Sequence, residues 1–194
     1  MIDALRAVML LVPIAGAPDV PDAPAELRRL IDAGRVRIEY VSDPEFVRKN
    51  EGRCDFRLEF QRQFRYRYVT TKQRGKTTVT ITLTSIETQI TVTHHVRLPD
   101  PYAGPSQWSH PLLRHEFDHV ALSAYPRPVL LLKHLSERLP PLKYILQEGE
   151  DCSDEVLGGV VNAELDRRED AVTNIIVRNY ERLDEISRHG VLPV

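Results

Sequence analysis

The sequence predicts an α+β fold: an antiparallel twisted sheet built first, then helices. Three observations carry that prediction. Between residues 36 and 98 apolar side chains recur with period two, the signature of strands with one buried and one wet face. After Pro99 the period lengthens to three and four. Proline clusters punctuate the second half into separate helices. A chain of 194 residues with 42% hydrophobic and 28% charged residues fits one soluble domain with a proper core. A formal net charge of -2 gives no whole-molecule reason to expect nucleic acid or an anionic membrane as partner.

The N-terminal residues 1–22 read as a signal peptide and linker, and 23–194 as a single domain. Arg6 precedes an apolar run from Ala7 to Ile14 and then Ala15-Gly16-Ala17, a small-residue cleavage pattern. The run is too short to span a bilayer. Asp3, Pro13 and Pro18 speak for the alternative, an apolar N-terminal element packed on the domain. The expected location is secreted or periplasmic, otherwise cytoplasmic.

Asp22 is placed to cap a short helix with Pro24 in its first turn and Gly34 at its end, with Leu27, Leu30 and Ile31 as its apolar stripe. Val36 to Val41 follows as a strand. Phe56, Leu58, Phe60, Phe64, Tyr66 and Tyr68 then hold even positions, with polar residues between them. Lys72 to Lys76, containing Gly75, makes the turn. Val79, Ile81 and Leu83 have odd parity, but Ile86, Ile90, Val92 and Val96 have even parity. That switch predicts a bulge or a bend near Ser85. A helix starts near Ser109 with Pro111 in its first turn and stops before Pro126 and Pro128. A second runs over about 129–139, and the last from about Ser153 to Arg188, closed by Gly190.

The chemistry lies in His115-Glu116-Phe117-Asp118-His119, an H-E-x-x-H sequence on the first of these helices. Histidines four apart share one helical face, with Cβ atoms roughly 5–6 Å apart, so both imidazoles reach one Zn²⁺. Glu116 adjoins that face, where a carboxylate takes a proton from metal-bound water. Zinc needs a third protein ligand. On the last helix Glu155, Glu164, Asp166, Glu169, Asp170, Asp184 and Glu185 are available, with His189 at its end, one residue before the closing glycine.

Other residues compete for notice. Adjacent strand residues His94 and His95 point to opposite faces and read as core or surface histidines. Arg57, Arg62, Arg65, Arg67, Lys72, Arg74 and Lys76 form a basic sheet surface, either solvated or a site for an anionic partner. Tyr180, Tyr125 and His110 are the candidates to stabilise an oxyanion. An extended substrate is expected at a sheet edge near Thr91 to Arg97. Cys54 and Cys152 match no metal-binding pair spacing and are either buried thiols or one disulfide, which export would favour.

Several motifs together resemble a bacterial family of usually exported zinc-dependent proteases of uncharacterised function. Leu98-Pro99 matches its L-P turn, Trp108 with Leu112-Leu113 its helix approach, and His115, Glu116 and His119 its active helix. The run Leu183 to Gly190 is similar to its closing Y-D-x-E-T-x-H-G pattern at Asp184, Ser187 (for Thr), His189 and Gly190. Leu183 and Ile186 depart from it. Members often carry one cysteine in the sheet and one opening the last helix, as Cys54 and Cys152 stand here. The resemblance covers roughly residues 36–190 and implies a zincin-like fold, a zinc cofactor, a peptide or protein substrate, His189 as third ligand and Asp184 orienting a histidine. The competing expectation is a non-catalytic binding module, with a structural metal or none, that works through its basic sheet face.

Overall fold

The computed structural model describes residues 24–49, 51–103, 107–124 and 126–190. The expected signal segment, Asp22 and Tyr125 lie outside these residues.

In chain order the elements are α1 (Ala25–Asp32), β1 (Val36–Val41), α2 (Pro44–Lys49), β2 (Arg53–Gln73), β3 (Lys76–Pro99), α3 (Pro111–Ala124), α4 (Pro126–Glu137), β4 (Leu142–Ile145) and α5 (Asp154–Ser187). Short 3-10 turns at Asp100–Tyr102 and Gln107–Ser109 bridge β3 to α3. The fold is mixed α+β: an open sheet crossed by a long C-terminal helix. None of the described helices is long and apolar enough to cross a membrane.

The hairpin of β2 and β3 dominates the sheet. Its tight turn places Arg74 (φ 50°) and Gly75 (φ 79°) in the left-handed region, as a two-residue hairpin loop demands. The register runs Arg65↔Ser85 and then Tyr66↔Leu83, so Thr84 is the extra residue. This is the bulge that the parity switch predicts. It keeps Phe64 and Tyr66 on the same face as Leu83 and Ile86, where all four pack beneath α5.

Two expectations are corrected here. The sheet is not wholly antiparallel: β1 pairs with β3 in parallel, from Val36↔His94 to Val41↔Pro99. Alternation reports which face of a strand is buried and is blind to the sense of pairing. Residues 94–97 are also not a sheet edge, because β3 lies there between β1 and β2. The short α2 and β4 went unread. In α2, Asp43 Oδ1 accepts the amides of Glu45 (3.0 Å) and Phe46 (2.9 Å), an ordinary N-cap.

The core has two parts. One gathers Leu27, Val36, Ile38, Val96, Leu98, Leu112, Leu113 and Val120, with Trp108 and Cys54 against it. The other gathers Val79, Ile81, Leu157, Val161 and Leu165, with Cys152 against it. The cysteines therefore belong to different clusters and both are free thiols, which corrects the Cys54–Cys152 disulfide. At about 1.5 Å per residue α5 is roughly 51 Å long. Its N-terminal half covers the distal hairpin, and its C-terminal turns reach α3.

Candidate metal centre

Helix α3 begins at Pro111, whose missing N–H costs nothing in a first turn. The next amide, Leu112 N–H, donates to His110 Nδ1 (3.2 Å). His110 thus caps the helix, its ring against Tyr102 at 4.1 Å, and it does not line the cleft described below. Leu112, Leu113 and Val120 pin α3 to the sheet. That packing buries His115 and His119 at 5% exposure and Glu116 at 3%. Burying three ionisable groups on one helix is costly without partners.

The partners come from the last turn of α5. Asp184 Oδ1 lies 2.9 Å from His115 Nε2 and 3.0 Å from His119 Nε2, and the two Nε2 atoms are 3.2 Å apart. Three donor atoms thus form a nearly equilateral triangle. Bonds of about 2.0–2.1 Å to a tetrahedral zinc ion separate its ligands by roughly 3.3–3.4 Å, so the triangle is close to the base of such a site.

Hydrogen bonding fixes what faces that triangle. Ser187 Oγ lies 3.2 Å from His115 Nδ1, accepts the Gly190 amide at 3.2 Å, and donates to the Asp184 carbonyl at 3.5 Å. Ser187 has one proton for the carbonyl and His115 Nδ1. Where it serves the carbonyl, Nδ1–H donates to Ser187 and His115 Nε2 presents a lone pair to the Asp184 carboxylate. Lone pairs this close repel unless a cation or a shared proton lies between them. The donor set therefore fits a divalent metal held by His115, His119 and Asp184, and a serine orienting the first histidine.

His189 takes another position. The chain leaves α5 through Arg188 (φ 49°), His189 (φ 54°) and Gly190 (φ 81°). Two consecutive non-glycine residues in that region cost of order 1–3 kcal/mol each. Bonds from His189 N–H to the Asp184 carbonyl (3.0 Å) and from Gly190 N–H to Ser187 Oγ help hold the turn. It swings the His189 side chain to the rim, 78% exposed, with Nδ1 3.7 Å from Asp184 Oδ1. The resemblance implied His189 as third ligand and Asp184 as orienting a histidine; here Asp184 stands in the triangle and His189 at its margin.

A cleft of about 210 Å³ opens on the triangle, lined also by Glu116, Gly52, Arg53, Cys54 and Tyr180. Burial, reinforced by the carboxylates of Asp184 and Asp55, pushes the Glu116 carboxyl up to about 8. A cation in the triangle would reverse that pressure and favour the carboxylate. Burial also drives His119 below its ordinary value. Compared with protein-family models, with curated proteins and with solved structures, the chain matches none.

Two residues of the cleft, Gly52 and Cys54, went unread for what they do there. Gly52 gives Glu116 room: a Cβ there would fall 2.7 Å from Glu116 Cγ and Cδ. Cys54 faces the cleft as a thiol pushed up to about 12 by burial and then by Glu116. Of the two oxyanion candidates among the described residues, Tyr180 lines the cleft and His110 does not. The Tyr180 ring lies 4.4 Å from that of His119, and its hydroxyl is 2.5 Å from Ser123 Oγ. Ser123 in turn meets His94 Nε2 at 2.6 Å. His94 on β3 thus ends a buried polar chain, and burial lowers it to about 4. His95, on the opposite face, pairs with Glu39 at 2.7 Å.

Proposed function

We propose that the protein is a zinc-dependent metallopeptidase of zincin-like architecture, with His115, His119 and Asp184 holding the metal and Glu116 as general base. One observation carries the reading: two imidazole nitrogens and one carboxylate oxygen within 3.2 Å of one another, with a buried glutamate in the same cleft. A bound zinc ion would supply Lewis acidity, to a water and to the scissile carbonyl. Glu116 accepts the proton of that water at its carboxylate and returns it to the departing amine nitrogen. Gly52 keeps the carboxylate in the cleft. Ser187 orients the His115 ring, and the polar chain through Ser123 holds Tyr180 in place. Two imidazoles and a carboxylate suit zinc as well as iron(II), and the H-E-x-x-H spacing on α3 is what favours zinc. The peptide substrate rests on the resemblance of the H-E-x-x-H helix and the closing motif to the protease family.

A second reading has an observation of its own. With Nδ1 3.7 Å from Asp184 Oδ1, His189 is near enough to complete a four-ligand shell after a small movement. A closed shell leaves no place for water, and the metal would then be structural.

Hydrolysis of a general protein substrate such as casein by the zinc-loaded protein separates the two. The peptidase reading expects cleavage that Glu116→Gln abolishes at unchanged zinc content. Zinc-replete protein without activity, made active by His189→Ala, supports the structural site instead.

A further inference from the structure

The basic hairpin plays no part in the metal cleft. Between Glu59 and Glu87 the sequence has six Lys and Arg residues and no Asp or Glu. Arg62 is neutralised by α5, where its guanidinium meets Asp166 and, at 3.7 Å, Glu169. Arg65, Arg67, Lys72, Arg74 and Lys76 are exposed and have no ion pair among the described residues. Beside them Tyr68 is 46% and Val69 66% exposed.

The backbone is open at the same place. Strand β2 is terminal in its sheet, pairing only with β3 among the described residues. Five consecutive residues, Phe64 to Tyr68, form one wall of a cleft of about 1020 Å³. The first turns of α5 form the other, including Asp154, Glu155, Gly158 and Gly159. A Cβ on either glycine would meet nothing within 4 Å, so the helix leaves the groove unfilled there. Phe64 lies ten residues along β2 from Cys54, roughly 33 Å away at about 3.3 Å per residue. The groove is therefore separate from the metal cleft.

We infer that this edge of β2 binds an extended segment of a partner protein, added as a further strand, in which acidic residues alternate with small apolar ones. Strand addition satisfies the free amides and carbonyls of the edge, and side chains alternate between the two faces. On one face the added residues meet Arg65 and Arg67, which favour carboxylates. On the other they meet Phe64, Tyr66 and the glycine floor, while Asp154 and Glu155 repel acids. A second copy of this chain fits poorly: antiparallel pairing of two β2 edges here sets the Arg65 and Arg67 side chains of both copies on the same face. Like charges placed opposite one another destabilise a sheet. The inference is independent of the peptidase reading.

The test uses a labelled twelve-residue peptide of alternating Glu and Val, with a control of the same composition in a repeated Glu-Glu-Val-Val pattern. Fluorescence anisotropy reads affinity, and amide exchange of Phe64 to Tyr68 reads strand formation. The alternating peptide should bind and protect those amides. The double substitution Arg65→Glu, Arg67→Glu should weaken it at least about tenfold, as loss and reversal of opposed charges implies. Gly158→Leu, filling the groove at a site with room for it, should weaken it as well. Equal binding of the control peptide, binding indifferent to charge reversal, or no binding at all overturns the inference. So does self-association of the protein that the same substitutions remove.

Discussion

The backbone of Gly52 lies against the carboxyl of Glu116 so closely that a methyl group there would sit 2.7 Å from Glu116 Cγ and Cδ. Glu116 and the residue preceding β2 are thus fitted to one another, while the three donor atoms of the proposed metal site stand on α3 and α5. Gly52→Ala should leave zinc stoichiometry intact and lower kcat/KM at least about a hundredfold, because a misplaced base loses most of its benefit. Parallel zinc analysis and steady-state kinetics check this. Full activity in the variant would remove Gly52 from the account.

Ser187 Oγ, 3.2 Å from His115 Nδ1, is expected to set the tautomer that leaves His115 Nε2 free. Ser187→Ala should weaken zinc binding roughly 10–100-fold, the usual effect of losing a group that orients a ligand. Competition with a chelator measures it, and an unchanged affinity would show that the histidine needs no such partner.

Much of the fold was legible where the signal is local. The β1 limits, the hairpin turn, the bulge and the α3 and α5 spans all follow from parity, spacing and proline or glycine punctuation. The sense of β1 pairing was not, since nothing in Val36 to Val41 specifies which edge of β3 is free or how the chain arrives there. The site divides in the same way. His115, Glu116 and His119 announce themselves by helical spacing. Asp184, one acid among several on α5, was cast by the resemblance as orienting a histidine; the packing of α5 on α3 is what brings it among the donor atoms. His189 looked better placed because the consequence of an αL exit, which swings its side chain outward, depends on backbone angles rather than on residue type. Gly52 and Ser123 owe their roles wholly to contacts with residues far away in sequence.

Stability should depend on pH through His94. Its folded value, about 4, lies below the ordinary 6.5 because the ring is buried. Between those values the unfolded chain binds a proton that the folded chain refuses. Stability is therefore complete above about pH 6.5 and falls as pH drops toward 4, by about 3 kcal/mol at most. His119, also lowered, adds in the same direction, while Glu116, raised to about 8, opposes both above about pH 4.5. The decisive quantity in urea unfolding of metal-free protein across this range is therefore the part of the pH dependence that His94→Leu removes. An identical slope in that variant would contradict the assignment.

The thiols give a separate check. Cys54, pushed up to about 12, stays protonated at pH 8 and should resist alkylation in the native protein. After unfolding without reductant, two thiols per chain should react with Ellman's reagent, since both cysteines are free. Fewer than two would restore the disulfide.

The central claim is that Asp184, with His115 and His119, forms the metal triangle. Titration with Co²⁺, followed by visible absorption, tests it most directly. One Co²⁺ per chain is expected, with d–d bands and no thiolate charge-transfer band, retained in His189→Ala and lost in Asp184→Ala. Unchanged binding in Asp184→Ala, together with loss in His189→Ala, would contradict it.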